Sequence, residues 1–164
     1  MADGFDYGLN VAATEYDGNN KYIRITDIDD NTRLFNKNSL TSPDTNISCA
    51  KEYKLSEGDI LFARTGASVG KTYKYRKQDG EVYFAGFLIR ASAKPENDID
   101  FVFQNTLSDK YDKFVVLTSM RSGQPGINAK EYKNYLLDVP NLFEQKKIGV
   151  FLSSIDNIIT LYQR

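Results

Sequence analysis

Residues 66–72, Gly66-Ala67-Ser68-Val69-Gly70-Lys71-Thr72, hold the residue types that cradle a phosphate: glycines for close backbone approach, a lysine for charge and short hydroxyls. A nucleotide-binding P-loop needs four residues between its glycines. This loop has three, and Thr65 stands where the first glycine belongs. The P-loop lysine also opens a helix whose dipole faces the phosphate. Here Lys71 to Lys77 alternates Tyr73 and Tyr75 with charged residues, a strand pattern. A nucleotide-binding or phosphate-binding enzyme built on residues 66–72 is therefore the weaker reading. Arg64, Thr65, Ser68, Lys71 and Thr72 suit a phosphodiester backbone or a base edge better.

Other catalytic chemistry is narrowly bounded. The chain has no histidine, which removes Ser-His-Asp and Cys-His catalysis and most transition-metal sites. The lone Cys49 excludes an internal disulfide and a Cys-rich zinc site, and it is expected to be a small packed residue. No catalytic or metal-binding residue is assigned. The net charge of −1 hides an asymmetry. Residues 1–50 carry eight acids against four bases, while 64–77 carries Arg64, Lys71, Lys74, Arg76 and Lys77 without an acid. Lys113, Arg121 and Lys130 form a second acid-free segment. Such local segments set a phosphate-binding field whatever the global charge. The 11 tyrosines and 10 phenylalanines, in a chain without Trp, are expected to fill the core rather than to stack on bases. No apolar run approaches the ~20 residues of a membrane span and the start has no signal-peptide pattern, so a cytoplasmic protein is expected.

These side chains must be held by elements that the periodicity indicates. Alternation predicts strands over 22–26, 59–63, 71–77, 82–91 and 135–139, with the first 20 residues as loops. Ile99, Val102, Phe103, Leu107, Tyr111, Phe114 and Val115 recur at helical spacing, which predicts a helix over about 99–115. A Gly/Pro loop at 122–126 follows. Asn141 and Glu144 form a capping-box-like start for a last helix, in which Ile148, Leu152, Ile155, Ile159 and Tyr162 make a heptad seam widened by Phe151 and Ile158. The expected fold is α+β: a twisted, mostly antiparallel sheet with a packed helix over residues 1–140, and a projecting coiled-coil-type helix over 141–164. The seam alone also fits a protein-interaction adaptor that does not touch DNA.

Four segments, in order, resemble the specificity subunits of Type I restriction–modification systems. Tyr22 to Ile28 is similar to that family's "YIR-SDI" strand, and Asp59 to Lys71 to its "GDLLF-RTG-S-GK" segment. Gln124-Pro125-Gly126-Ile127-Asn128 looks like its "Q-GI" segment, and Val139 to Ile148 with Leu152, Ile155 and Ile158-Ile159 looks like the start of its spacer helix. The resemblance implies a target recognition domain that reads part of a split double-stranded DNA target. It implies no cofactor in this chain. S-adenosylmethionine is expected on the modification (methyltransferase) subunits and ATP on the restriction subunit, both of them partners. The family's usual opening, a Trp and a "KLGDI" element, is absent, and the helix stops after about five or six turns. A half-subunit or fragment is therefore expected, the former self-associating through Ile148, Leu152, Ile155, Ile159 and Tyr162. For phosphate contacts the candidates are Lys71, Lys74, Arg76 and Lys130; for bases they are Arg64, Arg121 and Gln124, since arginine pairs with guanine and glutamine with adenine.

Overall fold

The computed structural model describes residues 2–120 and 123–162. In chain order the strands are β1 (Ala2–Tyr7), β2 (Ala13–Glu15), β3 (Lys21–Ile23), β4 (Thr41–Pro43), β5 (Asp59–Ala63), β6 (Thr72–Lys74), β7 (Val82–Phe84) and β8 (Leu88–Ala93). The helices are α1 (Ile99–Asn105), α2 (Asp109–Ser119), α3 (Ala129–Lys133) and α4 (Leu142–Tyr162). An antiparallel sheet in the order β1-β8-β5-β6 forms the centre. β2 pairs antiparallel with β4, and β3 pairs parallel with β7. The α+β class holds.

Every residue of β5 is buried because both faces of the sheet are covered. Successive side chains alternate. Ile60, Phe62, Ile89 and Ala91 face the helical side, where Phe101, Val102, Phe103, Tyr111, Tyr132 and Tyr135 pack. Leu61, Ala63, Tyr73 and Leu88 face the other side, with Ile23, Ile28, Phe35, Leu55, Val82 and Phe84. Many of the aromatics, Tyr22, Phe62, Tyr73, Phe84, Tyr111 and Tyr132 among them, are core residues, while Tyr7, Phe87, Phe143, Phe151 and Tyr162 are exposed. Tyr111, buried at 1% exposure, donates to Gly70 O (2.9 Å), and Tyr132 donates to Ala63 O (2.6 Å). Buried phenols are usually hydrogen-bonded; Tyr135 Oη, which has no partner among the described residues, is an exception.

Several elements differ from expectation for identifiable reasons. The first 20 residues supply two strands; β1 escapes notice because Gly4, at φ 77°, and an irregularity between Asp3 and Asp6 interrupt its alternation. The expected strand 22–26 gives way after Ile23 to a 3₁₀ turn, Ile25–Asp27, where Asp27 caps the backbone N–H of Arg24 (2.9 Å) and pairs with its guanidinium. Residues 71–77 likewise reduce to β6 and a 3₁₀ turn. Residues 82–91 are two strands of different sheets, separated by a β-turn closed by Leu88 N–H on Ala85 O (2.9 Å). The single helix expected over 99–115 is two. Ser108 accepts from Tyr111 N–H and starts α2, while Thr106 bonds back to Phe103 O (2.7 Å) and ends α1. No strand forms over 135–139; α3 precedes it, opened by a reciprocal Asn128–Glu131 capping box. Cys49 is exposed, in a 3₁₀ turn capped by Asn46, rather than packed.

The C-terminal helix does not simply project. Gln145, 2% exposed, accepts from Asp98 N–H (3.0 Å) and donates to Pro140 O (2.9 Å). One turn on, a Cβ at Gly149 would stand 2.5 Å from Asp98 Oδ1 and 2.8 Å from Phe101 N, so glycine lets α4 lie against the start of α1. Gln104 reaches Asp156 farther along. Among the described residues no helix is long and apolar enough to cross a membrane.

Candidate nucleic-acid interface

The 66–72 loop follows β5 and returns into β6, and its two ends are tied together: Gly70 N–H donates to Ala63 O (3.0 Å), and Ala63 N–H to Lys71 O (2.8 Å). Gly70, at φ 86°, presses on α2, where a Cβ would fall 2.6 Å from Val115 Cγ1. The second glycine thus serves packing. Strand alternation settles the basic residues that follow. Lys71 points to the same face as Tyr73; its ammonium is buried, donates to Ile28 O (3.1 Å) and pairs with Asp30 (2.5 Å). Lys74 points to the helical face, where it pairs with Asp100 and lies 5.6 Å from the Phe103 ring centre. A lysine that leads into a strand, occupied by the Ile28 carbonyl and the exposed Asp30 carboxylate, is not a P-loop lysine, and the nucleotide-binding reading of the loop fails. Arg76 is half-buried, its Nη1 without a partner among the described residues, in a cleft between Asn31–Leu34 and the last turns of α4.

The first half of the loop meets a distant segment. Gly66 N–H donates to Pro125 O (3.0 Å), Ile127 N–H donates to Arg64 O (2.9 Å), and Thr65 bridges Gly126. This pairing brings Arg64 and Gln124 to one place: a Cβ at Gly66 would lie 3.2 Å from Gln124 Nε2. Arg64, Thr65, Gln124, Pro125 and Gly126 line a shallow depression of about 220 Å³, shared with Ile127 and Asn128. The Arg64 guanidinium lies 4.8 Å from the centre of the Tyr7 ring and donates to Gly86 O (3.4 Å). Tyr7 Oη in turn accepts from Ala129 N–H (3.2 Å), in the first turn of α3, where Lys130 is exposed. Among the described residues, no carboxylate pairs with Arg64. Gln124 is exposed. The result is a pre-oriented guanidinium, an exposed amide and a nearby lysine at one end of the sheet, groups able to meet base edges and phosphates.

Two residues here went unnoticed in the sequence. Tyr7 carries no motif, and its role follows only from β1 lying next to β8. Phe87 is 63% exposed at the β7–β8 turn, and its carbonyl accepts from Arg64 N–H (3.1 Å). A large apolar residue in a two-residue turn was the available signal. Arg121 lies outside the described residues. Along α4, Ile148, Ile155, Ile159 and Tyr162 are exposed and Leu152 is half-buried, with Phe143, Val150, Phe151, Ile158 and Leu161 also exposed.

No curated protein matches the sequence. The chain is similar in fold to one in a solved structure of the type I R-M system, reported as a basis for its complex assembly and conformational transition. The two are 16% identical with a TM-score of 0.67; the match covers 98% of this chain and 37% of the other, so the chain spans less than half the length of the relative it matches. The family model for the Type I restriction modification DNA specificity domain matches residues 9–164. With nearly the whole chain inside that match, the protein belongs to the Type I restriction modification DNA specificity domain family.

Proposed function

We propose that the chain reads one half of a bipartite double-stranded DNA target for a Type I restriction–modification complex and docks its modification subunit. Residues 1–140 form the reading unit, and 141–164 form the spacer and self-association helix, whose exposed apolar residues need a partner. The observation that carries this reading, beyond family membership, is the pairing of the 64–66 and 124–127 segments, which sets Arg64 and Gln124 side by side. Arg64 and Gln124 supply the directional donors and acceptors that discriminate bases, and Lys130 supplies a phosphate contact that fixes register. Catalysis lies elsewhere in this proposal: methyl transfer from S-adenosylmethionine on the modification subunits, ATP-driven steps on the restriction subunit, all in the cytoplasm.

The test is selection from a randomised duplex library at moderate salt, using the purified chain with its cognate modification subunit. A short enriched motif, single or inverted about a fixed spacing, is the expected result. Arg64→Ala and Gln124→Ala should each relax one position of that motif at a cost of about 1–3 kcal/mol, whereas Lys130→Ala should weaken binding evenly across sequences. A folded, complex-forming sample that enriches nothing overturns the proposal.

A further inference from the structure

Beside the polar pair stands an apolar group whose position neither stability nor turn chemistry explains. Residues Ala85–Leu88 make a β-turn, and Gly86 and Phe87 occupy its centre, where Gly, Asn, Asp and Pro are the usual choices. The turn is rigid. Gly8 N–H donates to Leu88 O (3.1 Å), Leu9 N–H to Phe84 O (2.9 Å) and Ala85 N–H to Ile23 O (3.0 Å), so neighbouring strands hold both of its legs. Gly8 is required for this: a Cβ there would collide with the Ala85 carbonyl. Phe87 nevertheless keeps 63% of its surface in solvent. It lines an apolar hollow of about 270 Å³ with Leu9, Val11, Ile25 and Ala85. The nearest cation on that rim, Arg24, is already held by Asp27 at 2.9 Å, so the hollow does not attract phosphate.

We infer that Phe87 is a specificity-determining residue that contacts the C5-methyl group of a thymine next to the base pairs met by Arg64 and Gln124. The inference rests on the DNA-reading proposal and deepens it. Its warrant is continuity and chemistry together. Arg64 is bonded to both residues of the turn, through its N–H to Phe87 O and its guanidinium to Gly86 O, so DNA that reaches Arg64 must also meet the tip. Phenylalanine has no donor or acceptor, and the thymine methyl is the one apolar feature that a base pair shows in the major groove. The surrounding Leu9, Val11 and Ile25 extend the apolar surface that such a methyl would leave water for.

The experiment takes the motif selected by the intact complex and replaces its thymines one at a time by deoxyuridine, which removes the methyl alone. Affinity is measured for the natural protein and for Phe87→Ala, Phe87→Gln and Phe87→Leu, each complexed with the modification subunit. One position is expected at which the natural protein loses about fourfold, the factor carried by one buried methyl. At that position Phe87→Ala and Phe87→Gln should bind both duplexes equally, and Phe87→Leu should keep most of the discrimination. Three results overturn the inference while leaving DNA reading intact. They are an unchanged deoxyuridine penalty in Phe87→Ala, even weakening of Phe87→Ala on all sequences without methyl sensitivity, and a motif made of G·C pairs alone. Failure of the natural complex to enrich any motif instead removes the DNA-reading proposal itself, and this inference with it.

Discussion

Lys71 has the neighbours of a phosphate-binding lysine and a different occupation. Its Nζ sits between Ile28 O and Asp30, with only 8% of the side chain exposed. Removing the ammonium leaves a buried carbonyl without a donor, a loss of about 1–3 kcal/mol. Lys71→Met is therefore expected to lower stability in urea while leaving the salt dependence of DNA binding unchanged. Lys130→Met should do the reverse and reduce the slope of log K against log salt by about 0.9, one phosphate contact. A lower slope for Lys71→Met would show that the lysine turns outward in the complex. At this scale the sequence is legible for residue type and poorly legible for direction. Lys71 and Lys74 look alike in the chain, and only strand register sends one to Ile28 and the other to Asp100. Arg64 and Gln124 are 60 positions apart, and no local pattern announces the backbone pairing that unites them.

Among the elements, β5 and α4 were the most legible, because an uninterrupted apolar run and a long heptad pattern are strong local signals. What the heptad could not reveal is where α4 rests. A glycine inside a helix costs about 1 kcal/mol relative to alanine, so Gly149→Ala should stabilise a freely projecting helix. Packed as observed, the added methyl would meet Asp98 Oδ1 and the backbone of Phe101, neither of which yields cheaply. Overpacking of this kind costs about 1–3 kcal/mol. Gly149→Ala is therefore expected to lower the urea midpoint; a higher midpoint would mean that α4 leaves α1 in solution. Gln145 reinforces the same junction by joining Pro140 O to Asp98 N–H, so the joint between reading unit and helix is built from polar groups that must dock together. The expected strand at 135–139 failed for a related reason. Tyr135 is drawn into the aromatic cluster with Tyr111 and Phe114, at ring distances of 5.3 and 5.0 Å, and it leaves no edge for pairing. Alternation reports burial on one side, and a coil crossing the core produces it as readily as a strand.

At the scale of the whole molecule, composition becomes a statement about pH. With no histidine, no side chain has an ordinary pKa between about 5 and 8, and stability should be nearly flat across that interval. Below it, Asp17 is held down at about 2 by hydrogen bonds from the Asn20 side chain and from the backbone of Asn20 and Asn19. Backbone and side-chain bonds from Thr32 lower Asp29, and the Lys110 ammonium lowers Asp138. These carboxylates bind protons less readily when folded, so the stability they lend is present above the ordinary carboxylate range and lost as pH falls from about 4 toward 2. The alkaline edge has the opposite origin. Burial raises the phenols of Tyr73, Tyr111 and Tyr132 above 10. Above pH about 10 the unfolded chain releases protons that the folded chain keeps, so stability falls as pH rises from there through the folded values. Titration at 295 nm should show Tyr73, Tyr111 and Tyr132 ionising only with loss of far-ultraviolet circular dichroism. Tyr73→Phe removes one buried phenol but also leaves Asp79 without the donor it accepts from at 2.7 Å. Its stability should therefore fall at neutral pH while its alkaline edge becomes shallower. Reversible ionisation of Tyr73, Tyr111 and Tyr132 near pH 10, with circular dichroism intact, would show that the two-sided core does not exclude water as the packing requires.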